Sequence, residues 1–113
     1  MNTEELTFGL LNVVGWDRDA DLKVAQAVGF EACRFTKAGY RQKKRGESHW
    51  CSLPRYTLKV GDALLLFEDD DRLDALREAL LKMQLDGDSN PNRLAIYLCI
   101  TRLERDRALR GAA

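Results

Sequence analysis

The stretch "SLPRYTLKVGDALLLF", residues 52 to 67, separates an extended part of the chain from a helical part. Pro54 disfavours a helical conformation at the residue before it, so the stretch begins as an extended segment. Thr57 stands where an N-cap residue is expected, just before an apolar run with helical spacing. The pattern therefore predicts an extended lead-in and then a helix over residues 57 to 67. The residues that share the apolar face of this helix are Val60, Leu64 and Phe67.

The segment before this stretch, residues 30 to 53, has no helical period and predicts a small antiparallel β-hairpin or sheet. Aromatic residues alternate there with polar ones, which is typical of strands with one buried face. We expect the basic residues near Gly46 to form the hairpin turn. Trp50, together with Phe35 or Tyr40, is expected to supply the buried face.

Capping residues predict where the remaining helices begin. Asn90 followed by Pro91 is typical of a helix start, because the asparagine caps a free amide and proline lacks the amide that is unpaired there. Thr3 is the expected cap of the first helix, and Asp17 or Asp19 that of the second. The five predicted helices span residues 3–14, 19–28, 57–67, 71–85 and 91–109.

The helix over residues 71 to 85 has the clearest pattern, because its apolar residues recur at positions i, i+3, i+7 and i+10. These residues are Leu73, Leu76, Leu80 and Met83. Three acids at its start, Asp69 to Asp71, are expected to cap the helix, and Glu78 is expected to pair with Lys82. The predicted core contains Leu22, Leu64, Leu76, Leu80, Tyr97, Leu98 and Cys99.

Length and composition fit one globular domain. The chain has 113 residues, of which 45% are hydrophobic and 32% charged. No apolar run reaches the roughly 18 to 20 residues that span a bilayer, and acids stand near the start where a signal peptide carries bases. We therefore expect a single α+β domain over residues 1 to 113, mostly helical with a small antiparallel sheet, inside the cell and away from membranes.

The residues that most often carry catalysis or metal binding are few and widely spaced. Cys33, Cys51 and Cys99 match no paired zinc-ligand spacing, so plain core thiols are the expected reading. His49 and Cys51 are two apart on an extended segment, about 7 Å, which is too far for a direct hydrogen bond. No cofactor-binding or metal-binding motif is present. The sequence predicts a protein that is not an enzyme and uses no cofactor.

Charge is strongly sorted along the chain although the formal net charge is zero. Residues 34 to 59 hold eight bases and one acid, a local charge of +7, whereas residues 62 to 88 hold nine acids and three bases, a local charge of −6. The basic segment predicts a binding surface for nucleic acid phosphates or for an acidic protein, with a solvated turn as the alternative. The candidate binding residues are Arg34, Lys37, Tyr40, Arg41, Lys43, Lys44 and Arg45.

Two motifs resemble the phage ABA sandwich domain family, small proteins of bacteriophages and prophages. One is "GWDRDADLKVAQAVGF" at residues 15 to 30 and the other is "LPRYTLKVGDALLLF" at residues 53 to 67; the late helix "NRLAIYLCITRLERDRA" adds to the likeness. The matching residues are Gly15, Asp17, Arg18, Asp21, Ala25, Ala27, Gly29, Pro54, Tyr56, Thr57, Ala63 and Leu66. The charged helix after Phe67 departs from the family, which has short strands there. The resemblance implies a layered α/β/α sandwich and a phage origin, without an activity or catalytic residue.

These observations lead to two functional hypotheses. The first is a phage or prophage accessory protein in the cytoplasm of a bacterial host, which binds a host or phage protein stoichiometrically. It could inhibit a host enzyme or a defence system such as CRISPR. The alternative is a nucleic-acid or nucleotide-binding protein that uses the basic hairpin. The oligomeric state is left open.

Overall fold

The computed structural model describes residues 3–12 and 17–112, and it confirms a mixed α+β fold with a small antiparallel sheet. Its strands are β1 (Phe30–Phe35), β2 (Gly39–Lys44) and β3 (Cys51–Ser52). Its helices are α1 (Thr3–Leu11), α2 (Arg18–Ala27), α3 (Val60–Leu64), α4 (Arg72–Leu85) and α5 (Leu94–Ala112). Short 3-10 turns, Asp69–Asp71 and Pro91–Arg93, lead into α4 and α5.

The three strands pair in the order β1-β2-β3, and both pairings are antiparallel. The expected turn at Gly46 is present between β2 and β3, at residues 45 and 46, but a further turn at residues 36 to 38 joins β1 to β2. Gly39 and Gly46 have φ values of 75° and 88°, so each adopts a left-handed conformation beside a turn. The bases between these two glycines therefore lie on strand β2 itself, and only Arg45 lies in a turn.

Helix α5 is the centre of the fold. Residues 95 to 101 are all buried, and helices α1, α3 and α4 pack around them. Helix α2 instead packs against strands β1 and β2. The uninterrupted apolar run at the start of α5 is thus a helix surrounded by other elements, as the Asn90 cap predicted, and the Asn90 side chain accepts a hydrogen bond from the Asn92 amide.

Asp17 is the cap of helix α2, since its side chain accepts hydrogen bonds from the amides of Asp19 and Ala20. The side chain of Thr3, the expected cap of the first helix, lies outside the described part of the structure. Residues 13 and 14, the predicted end of that helix, also lie outside it. Of the predicted core, Tyr97, Leu98 and Cys99 are buried. Partly buried positions in that prediction are Leu22, Leu64 and Leu76.

Helix α3 is shorter than predicted. It begins at Val60 rather than at Thr57, and Lys59 occupies its N-cap position without a side-chain hydrogen bond. Thr57 is buried and directs its hydroxyl to the Asp21 carboxylate. The helix starts three residues late because this long-range hydrogen bond holds Thr57 in the segment that precedes the helix.

Helix α4 faces the core with a different side from the one predicted. Ala75, Ala79 and Met83 are buried, while Leu73 and Leu80 are 58% and 48% exposed, so the prediction of Leu80 in the core is wrong. Residues at positions i, i+4 and i+8 share a helix face, just as residues at i and i+7 do. In α4 the buried face is the one that carries Ala75, Ala79 and Met83. Alanine allows the two helix backbones to approach closely, which turns the leucines outward.

The acids at the start of α4 also have partners other than the predicted ones. Asp71 holds the N-cap position but caps no amide; it pairs with Arg105 of α5. Glu78 pairs with the same arginine at 2.8 Å, and Lys82 pairs with Glu104 instead of Glu78. These charges therefore tie α4 to α5 rather than stabilising α4 on its own.

The prediction of three core thiols is only partly confirmed. Cys99 is fully buried, but Cys33 is half-buried and Cys51 is exposed at the edge strand. The sulfur of Cys51 contacts the Gln42 carbonyl at 3.3 Å. A two-residue edge strand has no element beyond it to cover its side chains, which explains this exposure.

Candidate functional site

The seven predicted binding residues do not form one surface. Side chains alternate between the two faces of a strand, so Tyr40 and Lys44 share the face that carries buried Gln42, while Arg41 and Lys43 lie on the other face. Arg34 is directly opposite Tyr40 and belongs with it. The turns at the two ends of β2 hold Lys37 and Arg45. The structure thus divides the predicted site among two faces and two turns.

On the helix side of the sheet, Tyr40 joins β2 to α2. Its hydroxyl donates to the Asp19 carboxylate at 2.9 Å, and this hydrogen bond raises the pKa of Tyr40. The guanidinium carbons of Arg18 and Arg34 lie 5.1 and 5.6 Å from the centre of its ring, at cation–π distance. Tyr40 therefore holds β2 to α2, and Arg34 packs on its ring from the neighbouring strand.

The opposite side of the sheet is called the outer face here and consists of Glu31, Cys33, Phe35, Arg41, Lys43 and Trp50. The rings of Phe35 and Trp50 meet edge to face with their centres 5.1 Å apart. The Lys43 ammonium lies 5.4 Å from the Trp50 ring, and it also pairs with Glu31. This face combines an aromatic pair with positive charge.

The bases of the outer face already have protein partners. Lys43 donates to the Glu47 carbonyl at 2.7 Å in addition to its ion pair. Arg41 donates to the Ala38 carbonyl at 3.0 Å and to the Ser52 hydroxyl at 3.2 Å. Their charge is available to a ligand only in part. By contrast, Lys37, Lys44 and Arg45 are exposed and make no ion pair within residues 3–12 and 17–112.

Lys44 borders a cleft of about 410 Å³ beside the segment that joins α3 to α4. Two arginines in this cleft bind backbone carbonyls at the end of α3. Arg72 donates to the carbonyls of Leu64 and Phe67 at 3.0 and 3.2 Å, and Arg102 donates to that of Leu66. Asp69 pairs with Arg72 and Asp106 with Arg102, so the cleft holds less free positive charge than its composition implies.

A buried hydrogen-bond network connects the two motifs of the family resemblance, and sequence reasoning missed it. The Asp21 carboxylate accepts from the Thr57 hydroxyl at 2.6 Å and from the Thr57 amide at 2.8 Å. Arg18 donates to the same carboxylate at 2.8 Å and to the carbonyls of Leu53 and Pro54. Burial raises the pKa of Asp21, and the Thr57 and Arg18 hydrogen bonds oppose that rise.

This network is structural, because its polar groups satisfy one another inside the fold. Asp21 is fully buried and Thr57 is 1% exposed. The sequence signal was the pairing of "DRDAD" with "LPRYT" in one chain, but Thr57 also has the properties of an N-cap residue. The role of N-cap was a sufficient local explanation for Thr57, so its long-range hydrogen bond to Asp21 was not predicted.

Two further buried groups have strongly shifted pKa values but no access to solvent. Burial raises the pKa of Tyr56 to about 12, and its hydroxyl donates to Gln42 Oε1 at 2.9 Å. Burial also raises the pKa of the Cys99 thiol, which contacts the Tyr56 carbonyl at 3.2 Å. A protonated, enclosed thiol is a poor nucleophile. Among the described residues no cluster of three metal-ligating side chains is found.

Helix α4 carries four exposed leucines, Leu73, Leu80, Leu81 and Leu85, called the leucine face here; exposed Asp74 and Arg77 lie on the same side of the helix. Leu81 and Leu85 are 54% and 77% exposed. Leu85 borders a groove of about 230 Å³ that Leu11 of α1 and Tyr97 and Ile100 of α5 also line. The groove lies among α1, α4 and α5, and its apolar lining is bordered by the charged residues Lys82, Asp86 and Glu104.

Three exposed acids lie at the N-terminal end of the leucine face. Asp69 and Asp74 have side chains that are 88% and 72% exposed, and Asp70 is also exposed. Within the described residues Asp74 has one cation at ion-pair distance, Arg77 at 3.9 Å. The segment from residue 62 to 88 carries a formal charge of −6, part of which is balanced by Arg93 and Arg105 from outside the segment.

Comparisons with protein-family models, curated proteins and solved structures found no match to this chain. The likeness to the phage ABA sandwich family therefore stays a prediction that rests on the residues quoted above. In the part of the chain that the structure describes, no helix is long and apolar enough to cross a membrane.

Proposed function

We propose that the protein acts without catalysis, by stoichiometric binding to another protein through the leucine face of α4. The observation that carries this proposal is the exposure of Leu73, Leu80, Leu81 and Leu85 on one helix, between 48% and 77% each. Single exposed apolar residues are ordinary on protein surfaces, whereas contiguous apolar patches mark interaction sites.

The fold itself gives these leucines no role in its core. The buried residues of α4 are Ala75, Ala79 and Met83, and ion pairs to Arg105 and Glu104 connect this part of the chain to α5. Burying a leucine that is otherwise exposed is worth about 1.5 to 3 kcal/mol. A partner that covers two or three of these side chains gains free energy that the isolated protein does not use.

The biological setting follows from the family resemblance. That resemblance favours a phage or prophage accessory protein whose partner is a host or phage protein in the bacterial cytoplasm. A small protein with an exposed binding helix is suited to block the surface of a host enzyme or a defence complex such as CRISPR. The chemistry of the leucine face supports binding and leaves the identity of the target to experiment.

The test is capture of the partner by the immobilised protein from a nuclease-treated lysate of the cells that express it. The protein and the variant Leu81→Ser/Leu85→Ser are compared, with Leu58→Ser as the matched control at another exposed leucine. We expect one protein in roughly equimolar amount on the parent and on the control, and its loss on the double variant. Capture that does not depend on Leu81 and Leu85 contradicts the proposal.

A second candidate function is single-stranded nucleic-acid binding on the outer face of the sheet. It is favoured by the Phe35–Trp50 pair, because aromatic rings on an open sheet can stack with bases. Lys37 and Arg45, at the two ends of β2, are free to contact phosphates. The internal hydrogen bonds of Arg41 and Lys43 make this the weaker of the two candidates.

A further inference from the structure

We propose that the leucine face binds an amphipathic helix of a partner protein whose apolar side is bordered by lysine and arginine. This inference rests on the proposed function and specifies the chemistry of its partner. Helix-in-groove recognition requires apolar anchors at helical spacing and a groove that accepts them. Helix α4 and its groove provide both, and the acids at the N-terminal end of the leucine face select the charge of the incoming helix.

The leucines lie along two lines on the exposed side of α4. Leu73 and Leu80 are seven residues apart and occupy one line, while Leu81 and Leu85 are four apart and occupy the other. Leu85 of the second line borders the groove among α1, α4 and α5, which Leu11 also lines. An incoming helix that lies along this groove contacts the apolar walls with side chains spaced by three or four residues.

The same line of the helix changes from apolar to acidic toward the N-terminus of α4. Asp74 precedes Leu81 by seven residues and therefore lies in line with Leu81 and Leu85, while Asp70 lies in the 3-10 turn just before α4. Asp70 makes no ion pair among the described residues, and Asp74 has only the distant Arg77. A basic residue on the partner therefore finds a carboxylate next to the apolar contact.

This charge pattern argues against other occupants of the surface. Nucleic acid and anionic lipid are repelled by the acids. A second copy of the chain would use the same patch on both subunits, and antiparallel packing of two α4 helices would bring Asp70 and Asp74 of one copy toward Asp86 and Asp88 of the other. Like charges facing one another disfavour that dimer.

The test uses two synthetic 18-residue peptides with leucine at identical helical spacing, one with lysine and the other with glutamate at all remaining positions. Binding of each fluorescently labelled peptide to the protein is measured by anisotropy over a salt series. We expect one-to-one binding of the lysine peptide at least tenfold tighter than that of the glutamate peptide, weakening as salt rises. Leu81→Ser/Leu85→Ser should weaken it at least tenfold, and Leu58→Ser should not.

A further variant tests the acids directly. Asp70→Asn/Asp74→Asn should reduce the preference for the lysine peptide while the leucine contact remains. Equal binding of the two peptides, or binding of neither, overturns the inference about charge, and the proposed function still stands if capture of a protein depends on Leu81 and Leu85. Light scattering that shows a dimer dissolved by Leu81→Ser/Leu85→Ser also overturns it, because the occupant is then a second copy.

Discussion

The hydroxyl of Thr57 lies in the interior of the protein, 2.6 Å from a carboxylate oxygen of Asp21. Asp21 belongs to α2, and Thr57 belongs to the segment that enters α3, 36 residues later. The carboxylate also pairs with Arg18, which in turn binds the carbonyl groups of Leu53 and Pro54. A buried carboxylate is stable only with such partners, so this group fixes the position of the "LPRYT" segment on α2.

A double-mutant cycle can measure this interaction. Thr57→Val removes the hydroxyl while keeping the shape, and Asp21→Asn removes the charge. Each should destabilise the protein by about 1 to 3 kcal/mol, because each leaves a buried polar group with fewer partners. Denaturant unfolding of the two single variants and the double variant should give a coupling energy of at least about 0.5 kcal/mol. Additive effects of the two substitutions would contradict an energetic coupling between Thr57 and Asp21.

Tyr56 should make the stability of the protein depend on alkaline pH. Its pKa in the folded protein is raised to about 12, above the ordinary value of 10.0. The unfolded chain therefore loses the phenolic proton first, so stability that is fully present below pH 10 is lost as pH rises toward 12. Two pKa units correspond to about 2.7 kcal/mol. Unfolding free energies of the parent should converge on those of Tyr56→Phe over this interval; a constant difference would contradict the shift.

At the scale of elements, helix α4 shows what a periodic pattern predicts and what it omits. Residues 72 to 85 form the helix that the leucine spacing indicated, with boundaries within a residue or two. The buried side was predicted wrongly, since alanines at i and i+4 were given less weight than leucines. Which face of α4 is buried depends on how α4 packs against α5. The spacing of residues within α4 alone does not determine this packing.

The exposure of Leu80 and the burial of Met83 lead to a stability prediction for α4. Leu80→Ala should cost less than about 1 kcal/mol, because half of the side chain is already exposed and alanine favours helix. Met83→Ala should cost about 2 to 5 kcal/mol, since Met83 is 6% exposed and its removal leaves a cavity. Equilibrium denaturation in urea measures both, and a larger loss for Leu80→Ala than for Met83→Ala would mean that the predicted face is buried after all.

The strands illustrate a different limit of local rules. The existence of a small antiparallel sheet between residues 30 and 53 was predicted and is confirmed, and Gly46 lies in a turn as expected, whereas most of the bases assigned to that turn lie on β2. Both Gly39 and Gly46 permit a turn, so where the strand between them begins and ends depends on register. The register also decides which face of the sheet each side chain occupies. Because the register was unknown, the seven predicted binding residues were treated as one basic site.

For the whole molecule, the sorting of charge along the sequence becomes a sorting in space. The sheet and its turns come from the segment of charge +7, and α4 comes from the segment of charge −6. The element that each segment forms was predictable in outline, but the ion pairs between α4 and α5 were not. Arg105 of α5 holds both Asp71 and Glu78, whereas Asp69, Asp70 and Asp74 are exposed, with Asp69 paired to Arg72 and Asp74 3.9 Å from Arg77.

The basic end of the molecule provides the last prediction, which tests the second candidate function. If single-stranded DNA binds the outer face, each phosphate contact adds about 0.7 to the slope of log affinity against log salt. Lys37→Ser/Arg45→Ser removes two exposed cations at opposite ends of β2, so that slope should fall by about 1.4, measured by anisotropy of a labelled oligonucleotide. Lys23→Ser/Arg77→Ser makes the same change in net charge on α2 and α4 and should leave the slope unchanged, because those cations lie outside the proposed contact surface. Equal slopes for the two double variants would mean that any attraction for nucleic acid is a property of net charge and that the outer face is not a binding surface.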